Sequence, residues 1–223
     1  MHFTLTDLVT DITQNGVESG ADCVELHISE VQDSSGKGEF RFTVKDNGKG
    51  MSAEELKRVQ DPFVTDGIKH PHRKVGLGLP FLIQTAEASG GGWKMESKKR
   101  PETSVPSETG ASEEGAGPFG TEVGAWFDLG NVDTPPLGDI PGMFRTVLLF
   151  DGPSEMVLKR FRDTPQGRIE YEVRKSELIE VLGDFEDSQS LILLGQYLHS
   201  LEESAEDDVQ SEEASASTIV EAG

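Results

Sequence analysis

Residues 46–51 read Asp46-Asn47-Gly48-Lys49-Gly50-Met51, directly after the alternating run Phe40-Arg41-Phe42-Thr43-Val44. Asp-Asn-Gly behind an alternating strand is a turn signal, because these residues accept the backbone conformations that end a strand. The same stretch also places a carboxylate beside side-chain-free positions. A carboxylate at the edge of a pocket accepts hydrogen bonds from an exocyclic amine, and glycines let a flat ring lie against backbone. Whether this is only a turn, or a turn that is also half of a nucleotide pocket, depends on what surrounds it.

Upstream, residues 6–19 carry Leu8 and Ile12 at helical spacing, with Thr6 or Asp7 to cap the start and Gly20 to end it. Asp11 and Asn15 stand four residues apart and so share one face of that helix. A neutral amide near a carboxylate suits a water-rich Mg²⁺ that shares its coordination with phosphates. Val24, Leu26 and Ile28 alternate, as do Phe40, Phe42 and Val44, which predicts two antiparallel strands.

Downstream, Ser52 and Glu55 have the spacing of a capping box for a short helix. Residues 61–74 read as a loop containing Lys69, Arg73 and Lys74, and Gly76-Leu77-Gly78-Leu79 then enters a helix. Backbone N–H groups at a helix start, with no Cβ in the way, cradle phosphate. Pro80 suits the first turn, Phe81, Leu82, Thr85 and Ala86 supply a face, and Gly90 terminates it. Residues 93–97 predict a strand, 98–119 a mobile polar insertion, and 120–129 a final strand opened by Gly120-Thr121. His70 and His72 read as solvated loop histidines, and Phe63, Phe81 and Trp93 as core rather than base-stacking residues.

Beyond Phe144, Thr146–Phe150 and Gly167–Val173 predict strands, followed by helices over 176–184 and 190–204. The last residues are different in kind. Residues 202–223 hold eight acids and no base, with little apolar surface to offset the entropy of ordering. The whole chain has 41 acids and 20 bases for a net charge of −21, which would repel a phosphate backbone and argues against nucleic-acid binding. One cysteine, Cys23, cannot form an intramolecular disulfide; with neither a signal peptide nor a membrane-length apolar run, a cytoplasmic protein is expected.

Other phosphate and metal motifs do not fit. There is no GxxxxGK[ST] loop, and GLGL lacks the third glycine of a dinucleotide fingerprint. As an EF-hand, Asp46–Lys57 would put Gly48 and Gly50 at ligand positions and a lysine where the bidentate Glu belongs.

Taken in order, Asn-Gly-Val-Glu-Ser-Gly-Ala with its upstream Asp, DNGKGM, Asp-Pro-Phe, Lys-Val-Gly-Leu-Gly-Leu and Gly-Thr-Glu-Val resemble the boxes of the GHKL superfamily of gyrase, heat-shock chaperone, histidine-kinase and mismatch-repair ATPases. The resemblance covers about residues 5–130. Residues 135–139 (PPLGD) and the C-terminal extension are also similar to short free-standing histidine-kinase-like ATP-binding proteins of anaerobic bacteria.

The resemblance implies ATP and Mg²⁺ as cofactors. Asn15 would ligate the metal and Asp46 would bind the adenine amine, with Gly48, Gly50 and Met51 shaping the base pocket. Lys74, Gly76, Leu77, Gly78 and Leu79 would meet the phosphates, Phe63 would open the ATP lid, and Thr121 would support Asp46. Asp11 stands where hydrolytic members place a Glu general base; its side chain is one methylene shorter.

The expected fold is a two-layer α/β sandwich, a mixed and mainly antiparallel sheet with helices on one face. Residues 1–132 form the ATP-binding domain, 143–203 a small β-β-α-α element and 204–223 a disordered acidic tail. The expected function is a signalling kinase module acting in trans on a protein partner. The alternatives are an ATP-dependent conformational switch or weak ATPase, and an interaction domain without nucleotide. No helix pair with an acceptor histidine precedes Asp11, so a self-contained sensor kinase is not expected.

Overall fold

The computed structural model describes residues 4–60, 78–101 and 119–203. Helix α1 (Leu5–Glu18) starts at a capping box: the Thr4 hydroxyl accepts from the Asp7 amide, and Asp7 accepts from the Thr4 amide. Its apolar residues Leu5, Leu8, Val9 and Ile12 are buried. The next elements are β1 (Cys23–Gln32), β2 (Gly38–Asp46), α2 (Ala53–Gln60), α3 (Gly78–Ala88), β3 (Gly92–Lys98) and β4 (Gly120–Asp128). After these come α4 (Ile140–Leu148), β5 (Glu155–Thr164), β6 (Gly167–Arg174), α5 (Lys175–Leu182) and α6 (188–203).

All six strands form one sheet in the order β3-β4-β2-β1-β5-β6. Only the β1–β5 pair is parallel, so the sheet is mixed and mainly antiparallel, as expected. Alternation buries one face: Val24, Leu26 and Ile28 of β1 meet Phe40, Phe42 and Val44 of β2, and α1, α3 and α4 complete the same core. Phe127 stacks on Phe42 at 6.4 Å and tilts against Phe40 at 6.2 Å.

Residues 135–139 join the two halves. The Leu5 and Thr6 amides at the start of α1, which have no partner within the helix, donate to the Pro136 and Leu137 carbonyls at 2.9 and 3.0 Å. Asp139 then caps α4 by accepting from the Gly142 amide at 2.9 Å.

Two readings of the sequence are corrected. Residues 146–150, expected as a strand, belong mostly to α4, whose Ile140, Met143, Phe144, Val147 and Leu148 bury a helical stripe. The strand next to β6 is instead β5, so the described part of 143–203 runs helix-strand-strand-helix-helix rather than β-β-α-α, and both strands extend the main sheet. Phe81, expected in the core, is 40% exposed, whereas Trp93 does pack against the core. Phe63, His70, His72, most of the insertion and the acidic tail lie outside the described residues.

Candidate functional site

Asp46 ends β2 between Val24 of β1 and Thr121 of β4. It is buried, yet it is a carboxylate, so its hydrogen bonds matter. Oδ1 accepts from the Gly48 amide at 2.9 Å and lies 2.9 Å from the Ser19 hydroxyl. Burial pushes its pKa up; the bonds from Gly48, Ser19 and, least, the Thr121 amide oppose that rise. The Gly48 and Ser19 donors both end on Oδ1, and an ionised carboxylate accepts at about four sites, so acceptor capacity remains.

The 46–51 turn is held from three sides. Asn47 Oδ1 accepts from the Asp22 and Cys23 amides at 2.9 and 3.0 Å, pinning the turn to the start of β1. The Lys49 amide donates to the Ser19 carbonyl at 3.3 Å, and the Lys49 carbonyl accepts from the Arg100 amide at 2.8 Å. The Met51 amide donates to Ser97 Oγ at 2.8 Å, tying the turn to β3.

Glycine is required at two positions here. Gly50 has φ +59°, and a Cβ on it would stand 2.0 Å from the Lys98 carbonyl oxygen. At Gly48 a Cβ would meet Ser19 Oγ at 1.8 Å. The turn closes β2, and its two glycines pack tightly against Ser19 and Lys98 next to a buried carboxylate.

The second cluster lies one turn back along α1. A Cβ on Gly78, at the start of α3, would lie 3.7 Å from Asn15 Nδ2 and 3.7 Å from Asp11 Oδ2. The structure thus brings Asp11, Asn15 and Gly78 together. Leu79 packs against the core rather than standing free. Asn15 and Ser19 are four residues apart on α1, about 6 Å of axial rise, so both clusters face one helix. Phe63, Lys74, Gly76 and Leu77 lie outside the described residues.

Ser19, Asn47, Ser97 and Arg100 were not singled out in the sequence. Only Asn47 carried a signal, as a turn residue that bonds nearby backbone. The roles of Ser19 and Ser97 exist only through contacts made across the fold.

A family model described as the histidine kinase-, DNA gyrase B-, and HSP90-like ATPase matches residues 3–130. The chain belongs to this family. Its members bind ATP, and all of the residues just described fall within the matched span. β5, β6 and the helices α4 to α6 lie beyond it. Among solved structures, the Aquifex aeolicus MutL ATPase domain complexed with ADP is similar at 17% identity and a TM-score of 0.42, over 86% of this chain and 70% of that one. The N-terminal domain of a DNA repair protein is similar at 11% identity and a TM-score of 0.41, over 84% and 58% respectively. No curated protein matches the chain. No helix among the described residues is long and apolar enough to cross a membrane.

Proposed function

We propose that this family member binds Mg-ATP and passes its nucleotide state or its γ-phosphate to a protein partner. The observation that carries the reading is the pairing of two clusters along α1: a buried acceptor at Asp46 and an amide–carboxylate pair at Gly78. Asp46 takes the adenine amine through its remaining acceptor capacity. Gly48 and Gly50 shape the base pocket by letting the turn close against Ser19 and Lys98, where any side chain would collide.

Asn15 ligates the magnesium, which neutralises the triphosphate when bound. Among the described residues no group of three His, Cys, Asp or Glu side chains could hold a metal. A cation sharing its coordination with phosphate oxygens and water, held by one amide, fits that donor set. The start of α3 at Gly78, with Lys74, Gly76 and Leu77 before it, meets the phosphates.

Asp11 decides between rapid hydrolysis and signalling. It is the only carboxylate proposed as general base, and it is one methylene shorter than Glu, so water activation is inefficient. Slow turnover favours a module that transfers phosphate in trans, like a detached kinase catalytic domain. With no transfer, the same site serves as an ATP-dependent switch or weak ATPase.

Incubation with γ-labelled ATP, with and without native lysate, separates these. Protein labelling supports the kinase, phosphate release alone supports the weak ATPase, and binding with neither supports the switch. Absence of Mg-dependent ATP binding would remove the proposal altogether.

A further inference from the structure

A groove of about 650 Å³ runs between α4 and α6, beyond the span that the family model matches. Arg145 of α4 and Ile192, Gln196, His199 and Glu203 of α6 line it. The four α6 positions recur at helical spacing, so they form one stripe along the helix.

Arg145 lies across α6 at Gly195, where a Cβ would stand 3.5 Å from its Nη1 and 3.8 Å from its Cδ. It is exposed, and it makes no hydrogen bond or ion pair with a described residue. Every other lysine and arginine in residues 140–203 meets an acidic side chain or a carbonyl. Among the described residues of this half, the cation left open is Arg145.

The chain leaves from the edge of this groove. Glu203, the last residue described, lines it, and residues 204–213 follow with five acids and no base. Gly195 stands eight residues before Glu203, about 12 Å back along the helix. At about 3.3 Å per residue, about four extended residues cover that distance. Glu206, Asp207 and Asp208 are thus within reach of Arg145 on a returning chain, as are Glu212 and Glu213 after a wider turn. Val209 is the large apolar residue among these acids, and Ile192, 59% exposed, is the apolar member of the stripe.

We propose that residues 204–213 dock into the α4–α6 groove, with their carboxylates on Arg145. Charge and tethering both favour this occupant over a separate molecule. With 41 acids against 20 bases, the chain offers an acidic segment few places to settle. A tethered segment meets the nearest open cation at a high effective concentration, which falls as the connecting chain lengthens.

The acids already on the groove do not prevent this. Asp139 is turned to the Gly142 amide at the start of α4, and Glu203 is where the segment departs. Gln196 and His199 add N–H donors in the same groove. The docked segment covers the groove, and an outside acidic partner must displace it. The contact does not involve the nucleotide site.

The test treats the full chain with a glutamate-specific protease, as wild type, Arg145→Gln and Arg145→Lys. Mass spectrometry reads cleavage after Glu206, Glu212 and Glu213 against cleavage after Glu221, beyond the docked stretch. Relative to Glu221, Arg145→Gln should speed the three proximal cleavages about two- to fivefold, the scale of an exposed ion pair. About 0.5 M salt should do the same in wild type, because it screens the pair. Arg145→Lys, which keeps the charge, should stay close to wild type.

Proximal rates that respond neither to Arg145→Gln nor to salt overturn the proposal. Protection that appears only at high protein concentration means that a second copy fills the groove, and it overturns the proposal too. If Arg145→Gln also opens sites inside the fold, such as Glu170 of β6, the wild-type salt response decides. No proximal acceleration there is then the overturning result.

Discussion

The hydroxyls of Ser97 and Thr121 stand 2.9 Å apart across the β3–β4 pair, beside the end of β2 that carries Asp46. Ser97 Oγ lies 3.1 Å from the Gly120 carbonyl oxygen and accepts from the Met51 amide at 2.8 Å. Its one proton serves either the Gly120 carbonyl or Thr121 Oγ1, so either hydroxyl of the pair can donate. Thr121 is also the register partner of Asp46, which ties the β3–β4 hydroxyl pair to the carboxylate. Ser97→Ala should strip a partner from the Met51 amide and lower stability by about 1–2 kcal/mol in urea unfolding. It should also remove the hydroxyl partner of Thr121 beside Asp46, so ATP affinity should fall, though less than when Asp46 itself is changed.

Asp46→Asn tests the carboxylate directly. Loss of a charge-assisted bond to the adenine amine should cost about one to two decades in ATP affinity. Stability should move the other way. The folded pKa of Asp46 is raised by burial, so the folded state holds the proton more tightly than the unfolded chain does. That penalises the fold at pH values above the folded pKa and fades as pH falls through it to the unfolded value. The Asn variant should therefore melt higher than wild type near neutral pH, and the gap should close in acid. A variant that is both weaker in binding and less stable at neutral pH would contradict this account.

Gly50 and Gly78 should respond differently to alanine. Gly50 has positive φ and the Lys98 carbonyl in the path of a Cβ, so Gly50→Ala should destabilise by about 2–4 kcal/mol, from strain and collision together. At Gly78 the nearest atoms to a Cβ are at ordinary contact distance, 3.7 Å. Gly78→Ala should fold normally, gain up to about 1 kcal/mol of helix propensity, and still weaken triphosphate binding by narrowing the gap before Asn15. Calorimetric titration with ATP, next to a thermal melt, distinguishes the two.

Asn15 is exposed, so its loss should leave the fold intact. Asn15→Ala should weaken ATP binding when Mg²⁺ is present and have little effect in EDTA. Equal loss in both conditions would mean that the amide packs α3 against α1 and holds no metal.

The core of the site was readable because its signals are local: i, i+4 spacing on α1, alternation in β1 and β2, and glycines with backbone jobs. The C-terminal strand was not. β5 buries Met156 and Leu158 but continues the same face with Arg160 and Arg162, and arginine ordinarily marks an exposed face. Arg160 is 2% exposed only because Glu30 of β1 and Glu202 of α6 meet it from distant parts of the chain. Residues 146–150 look like a strand in isolation because of their short apolar run. The Asp139 cap and Pro141 in the first turn carried the opposing signal. Ser19 ends a helix, where serine is ordinary, and nothing in its neighbours announces Asp46.

That buried cluster at the far end of the sheet provides the last prediction. Glu202 Oε1 accepts from the Tyr171 hydroxyl at 2.6 Å and from Arg160 Nε at 3.2 Å, while the Glu202 carbonyl accepts from Arg162 at 3.0 Å. One side chain thus joins α6 to β5 and β6. Glu202→Ala leaves Arg160 buried with Glu30 as its remaining acidic partner, and it leaves the Tyr171 hydroxyl without its acceptor. Such a break should cost about 3 kcal/mol. The loss should concentrate in α6, so amide exchange over 188–203 should accelerate more than exchange in β1 or β2. Glu203→Ala, at the exposed neighbouring position, should change little. Glu30 and Val24 are six residues apart on β1, about 20 Å along the strand, so ATP affinity at the Asp46 end should hold in both variants. A fall in ATP affinity with Glu202→Ala alone would mean that α6 and the pocket are energetically coupled through β1.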